Sequence, residues 1–272
     1  NMNGNRQSGG TVELPLTEIL VNAFKYVYEE RKDFIALASL PIVALALISS
    51  GLDFLMPGGG VTLNKMGLPV SVGPAYLIDF AVTIVFFTMF AVAWYRKFLI
   101  GEEDISVATA LKWDGRKTRF LLRFIGLVLL MAFIMLPVTL GLSLITATIP
   151  AFGAVSIVIM IAVVSLAYAR GALWLTAGCV DDPIKLRDVW LGTRGNSWRL
   201  AILTLAPPLV IGLVEKLFVA AVAMVTQVLG VSSTLTAGLI FGLVVETSSY
   251  IGIAVVASAL SMAYLRFKSQ NA

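Results

Sequence analysis

At 272 residues, 58% hydrophobic and only 13% charged, the chain carries about half the charge of an ordinary soluble domain, which runs to roughly 25%. With a mean hydropathy of +0.92, that deficit places it among polytopic membrane proteins. Histidine is absent and Cys179 stands alone. These absences exclude an intramolecular disulfide, His-ligated haem, imidazole metal sites and a His-based triad. No cofactor and no metal are expected, and a net charge of +4 gives no reason to expect a nucleic-acid partner.

Residues 1–13 open with the polar "NMNGNRQSGG" and are expected to be a disordered segment without a secretory signal. In "TEILVNAFKYVYEERK", Ile19, Leu20, Ala23, Phe24, Val27 and Tyr28 share one helical face that Glu18, Lys25, Glu29 and Arg31 avoid. The pattern predicts an in-plane helix over 17–31, N-capped by Thr17, with its apolar face on lipid or on the bundle. Six segments then reach the 20 or so apolar residues that a crossing needs: 34–56, 73–95, 120–148, 150–177, 200–228 and 235–265. Only "TIPAFG" separates the third from the fourth. The fold class expected is all-α, with about six spans in a single membrane domain over 14–268 and a short tail at 269–272.

Cations set the orientation. Lys25, Arg31 and Lys32 precede the first span, six more crowd 96–119, four lie in 179–199, and Arg266 and Lys268 close the chain. The alternate loops hold Lys65 alone. Both termini are therefore expected in the cytoplasm, of an inner membrane. Trp94, Trp113, Trp174, Trp190 and Trp198 fall on the same side and are read as an interfacial belt.

The cytoplasmic loops repeat the first pattern. "EEDISVATALKW" and "DDPIKLRDVWLG" align at an offset of 79 residues, acids first and bases after, an order that suits the helix macrodipole. The chain thus reads as three units of interfacial helix, span and span, at 14–95, 102–178 and 181–266. Parallel copies fit either a transporter repeat or a duplicated hairpin.

On "AWYRKFLIGE" (93–102) and "DDPIKLRDVWLGTRGNSWRL" (181–200), the chain resembles uncharacterised bacterial inner-membrane proteins of the YciC type and the membrane domain of some glycerophosphodiester phosphodiesterases. That resemblance implies a topology and an inner-membrane location. The phosphodiesterase activity does not carry over.

Candidate residues form two groups. In "GTRGNSWR", Arg194, Asn196, Ser197 and Arg199 precede the fifth span, either as a lipid-headgroup site or as a turn with ordinary positive-inside charge. Deeper lie Asp79, Glu215, Lys216 and Glu246, with Asp53 further out. An ionisable residue inside a membrane costs ~2.5–3.5 kcal/mol or more and is a functional candidate by default. Adjacent helix residues point about 100° apart, so Lys216 is expected to pair with Glu246 across two helices while Glu215 faces a polar pocket. Arg170 is expected to snorkel to the inner interface, and the acids at 102–104 and 181–182 to form a solvated rim. "GLIFG" (238–242) supplies a GxxxG contact, and Pro207 with Pro208 interrupts the fifth span's hydrogen-bond ladder.

The expected function is a non-enzymatic, lipid-associated scaffold or accessory subunit, in contact with membrane phospholipids and other membrane protein subunits. The alternative is a small proton- or cation-coupled carrier working through the deep acid/base cluster.

Overall fold

The computed structural model describes residues 14–56, 61–63, 69–101, 108, 111–228, 230 and 235–271. The described residues are all-α apart from one small hairpin. A short helix α1 (Leu16–Glu29) leads, with a break at Glu30, into α2 (Arg31–Leu55). Strands β1 (Val61–Leu63) and β2 (Pro69–Val72) pair antiparallel before α3 (Pro74–Ile100). Then come α4 (Gly115–Thr148), a 3-10 turn at Pro150–Phe152, α5 (Gly153–Cys179), the short α6 (Leu186–Gly192), α7 (Ser197–Val228) and α8 (Leu235–Asn271). Six of these helices are long and apolar enough to cross a membrane. This is an integral, multi-pass membrane protein.

The helices outrun the apolar segments mainly at their basic ends. There, polar residues continue the ladder past the hydrocarbon. Asp114 caps α4 by accepting from the amides of Arg116 and Lys117 at 3.1 and 3.0 Å. Helix α1 starts one residue before Thr17, which therefore lies in its first turn; Pro15 occupies the cap position. The apolar face of α1 is also narrower than its periodicity suggests. Ile19, Ala23 and Val27 are buried, Leu20 is half-buried, and Phe24 and Tyr28 are exposed. At the other terminus, 269–271 belong to α8 rather than to a tail. The segment 1–13, the stretch 102–107 that would begin a second interfacial helix, and Lys65 lie outside the described residues.

Packing is concentrated at the basic end. Phe90, Trp94 and Tyr95 of α3, Ala169, Ala172 and Leu173 of α5, and Ala254, Ala257 and Leu260 of α8 form the core there. Small residues let these helices approach closely. In α4 only Lys117, Phe120 and Leu127 are buried, all in its first half, and Phe133, Leu136, Leu140 and Leu144 are exposed along the rest. Toward the hairpin end the tightest contact joins α2 to α8. A Cβ on Gly242 would lie 3.2 Å from Ala46 Cβ and 3.3 Å from its Cα. The GxxxG glycine thus allows backbone approach.

One expectation about a single residue changes. Trp94 is fully buried and donates to Ser258 Oγ at 3.0 Å, so it is a core residue, with no place in an interfacial belt. Arg170 reaches toward the end where its snorkelling is expected, donating to Ser197 Oγ at the start of α7 at 2.7 Å, with its guanidinium 5.3 Å from the ring centre of Trp190 in α6.

Candidate functional site: a cavity inside the bundle

Helix α7 sorts its residues into two stripes. Thr204, Pro208, Ile211, Gly212 and Glu215, at i, i+4, i+7, i+8 and i+11, face inward. Leu209, Leu213 and Leu217 lie on the other side and are 64%, 70% and 73% exposed. The inward stripe is small and polar where a packed helix would carry leucines, and it borders a cavity of about 390 Å³. Phe87, Ala91 and Tyr95 of α3 form the facing wall, again at helical spacing, with Phe120 of α4 and Tyr168 and Leu175 of α5. Ser248, Ser249, Gly252, Ile253, Val256 and Ala257 of α8 complete it. From Phe87 to Tyr95 the cavity runs about 12 Å along α3, at 1.5 Å rise per residue. Helix α4 packs mainly on α5, and α7 mainly on α8 and α5, so the space between α4 and α7 is left open.

The charged residues of the deep cluster do not meet at one point. Glu215 lies on the inward stripe, with its side chain only 14% exposed, and borders the cavity as expected. Lys216 does not reach Glu246. It lies one position round, on the exposed stripe, with a side chain 77% exposed and its Nζ 3.4 Å from Glu215 Oε1. The four-carbon stem reaches back over the 100° that separates neighbours on the helix, which the directions of the Cβ atoms alone do not anticipate. Glu246 and Asp79 lie elsewhere. Glu246 borders a groove of about 630 Å³ between α2 and α8 with Ser49, Ser50 and Asp53. Asp79 accepts from Ser49 Oγ at 2.5 Å and is within electrostatic reach of Glu246.

The "GTRGNSWR" residues hold the start of α1. Asn196 Oδ1 accepts from the Leu14 amide at 3.5 Å, and Arg199 Nη1 donates to the Leu14 carbonyl at 3.2 Å. Ser197 Oγ accepts from Arg170 and donates to the Thr193 carbonyl. Three of the four candidates thus have structural bonds within the bundle; Arg194 is exposed.

The acids at 181–182 take part in ion pairs, Asp181 in an exposed position and Asp182 half-buried. Asp181, with φ +57°, faces Arg96, Arg116 and Arg119 at 3.7, 3.3 and 2.8 Å. Asp182 accepts from Tyr264 at 2.5 Å and from Lys268 at 3.0 Å. Nearby, Lys97 bridges Glu30 at 2.7 Å and Asp33. This ionic layer ties α2, α3, α4 and α8 together at the basic end, beyond the core. Glu102, Glu103 and Asp104 lie outside the described residues.

No family model, curated protein or solved structure matches the chain. What the fold and cavity define is a class, a six-span α-helical integral membrane protein with a hollow in its bundle.

Proposed function

We propose that the protein is a non-enzymatic membrane component of the inner membrane that binds an amphipathic molecule within its bundle, with both termini in the cytoplasm. The observation that carries this reading is the cavity. Its volume and its mostly apolar walls with a few polar groups match small-molecule and lipid-chain sites, and it opens where α4 and α7 diverge. A lipid-associated scaffold or accessory subunit fits this arrangement, with membrane phospholipid as the ready occupant. The groove where Asp53, Asp79 and Glu246 gather favours a second reading, a proton- or cation-coupled carrier.

Native mass spectrometry after mild extraction tests the first reading. The protein should carry one bound amphiphile that survives delipidation. Gly212 and Gly252 both border the cavity, and a Cβ at either meets nothing closer than Ile211 Cδ1 at 3.9 Å. Gly212→Phe and Gly252→Leu should therefore fill the space without a backbone clash and remove that species. Equal ligand retention in folded wild type and both variants would defeat the cavity as the binding site.

A further inference from the structure

The chemistry of the cavity wall is one-sided. Among the described residues that line it, Glu215 supplies the one carboxyl group and no lysine or arginine takes part; the neighbouring Lys216 is not part of the wall. The other polar side chains, Tyr95, Tyr168, Thr204, Ser248 and Ser249, are hydroxyls that accept as well as donate. The backbone adds another acceptor. In a helix the Thr204 carbonyl would accept from the amide of residue 208, or of 207 in a tighter turn, and both are proline. That carbonyl is left without either donor between Thr204 and Pro208, two residues that both border the cavity. Aromatic rings make up much of the facing wall. Phe120 sits 6.2 Å from Phe87 and 6.4 Å from Tyr95, centre to centre. Ring faces carry negative potential and attract cations, most strongly where water is excluded.

We propose that the cavity selects a small hydrophobic organic cation, an alkyl- or aryl-substituted ammonium, with its charge at Glu215 and its apolar body against the Phe87–Tyr95–Phe120 wall. This deepens the proposed function and rests on the cavity being a binding site. Lys216 competes for Glu215 from outside, at a separation of 3.4 Å and with a largely exposed side chain. A cation inside the cavity replaces it at little cost.

Isothermal titration of the purified protein in a non-ionic detergent tests this with three probes of similar shape: benzyltrimethylammonium, its uncharged carbon isostere neopentylbenzene, and phenylmethanesulfonate. The cation should bind about tenfold or more tighter than the isostere, and the sulfonate should not bind. Glu215→Gln should remove that margin and leave the isostere unchanged. Lys216→Met should tighten the cation by freeing the carboxylate, and Gly252→Leu should abolish both the cation and the isostere. An isostere that binds as well as the cation, with Glu215→Gln and Lys216→Met both silent, overturns the cation assignment and leaves the cavity reading standing. Failure of all three probes in folded wild-type protein also overturns the cation assignment, while the cavity reading is decided by ligand retention in native mass spectrometry.

Discussion

Asp182 shows how one side chain is held at the basic end. Burial alone would push its carboxyl upward, but the hydrogen bonds from Tyr264 and Lys268 outweigh that effect and hold it below the usual carboxylate range. A depressed value in the folded state means a stabilisation that is complete above the unfolded value near 3.9. It is lost as pH falls through the folded value. Thermal unfolding in detergent should therefore show a midpoint flat near neutrality and falling below about pH 4. Asp182→Asn should lower the midpoint at pH 7, by ~1–3 kcal/mol in stability, and blunt the acid fall. An unchanged acid limb would remove Asp182 from the account. At this scale the sequence is informative about where charges lie along the chain and poor at their partners. Glu215 was expected at a polar pocket because a carboxyl group on an apolar helix needs a polar surrounding; the stripe of Thr204, Pro208 and Gly212 that it shares is seen only in the fold. The Lys216 partner was not legible, because in an all-apolar helix nothing in the pattern reports how a long side chain folds back.

Between elements, the α2–α8 contact depends on the absence of side chains. Gly242 sits against Ala46, which would have to give by a few tenths of an ångström to admit a methyl, whereas a Cβ on Gly238 would meet only Ser50 at 3.7 Å, an ordinary contact. Gly242→Ala should cost ~1–3 kcal/mol, in line with other overpacked contacts, and Gly238→Ala should be nearly silent or slightly stabilising through its helix propensity. Thermal unfolding of the two variants side by side checks the contrast, and equal effects would mean that the approach at Gly242 is not tight. The "GLIFG" spacing named this helix face in advance, but not which of the two glycines is in closest contact. That distinction depends on the crossing point of α2, and the even apolarity of 34–56 leaves its rotation unspecified. A similarly even apolarity over 73–95 concealed the inward turn of Trp94, which the small face of α8 around Ala254 and Ser258 accommodates.

At the scale of the whole molecule, six crossings were legible because length and hydropathy fix them physically, whatever the packing. The element order twice has a short helix followed by two long ones, α1 with α2 and α3, and α6 with α7 and α8, which is the order that the repeat reading expects without testing it. The middle unit shows α4 and α5, and most of its short helix falls outside the described residues. The uneven packing, dense at the basic end and loose toward the hairpin, could not be read from hydropathy, since lipid-facing and core leucines score alike. An even number of crossings puts Lys25 and Ser269 on one side of the membrane and the β1–β2 connection on the other. The charge distribution favours the proposed orientation, with the first side cytoplasmic. Cys179 is the chain's only cysteine and is fully buried, so a Cys179→Ala background leaves no native thiol. Single cysteines at Lys25, Lys65 and Ser269 can then be probed in intact cells with a membrane-impermeant maleimide. Position 65 should label from outside, and positions 25 and 269 only after lysis. Outside labelling at 25 or 269, with 65 protected, would invert the orientation. It would also place the ionic layer of Asp181 and Asp182 on the outer face, where the cation excess of the loops would have no explanation.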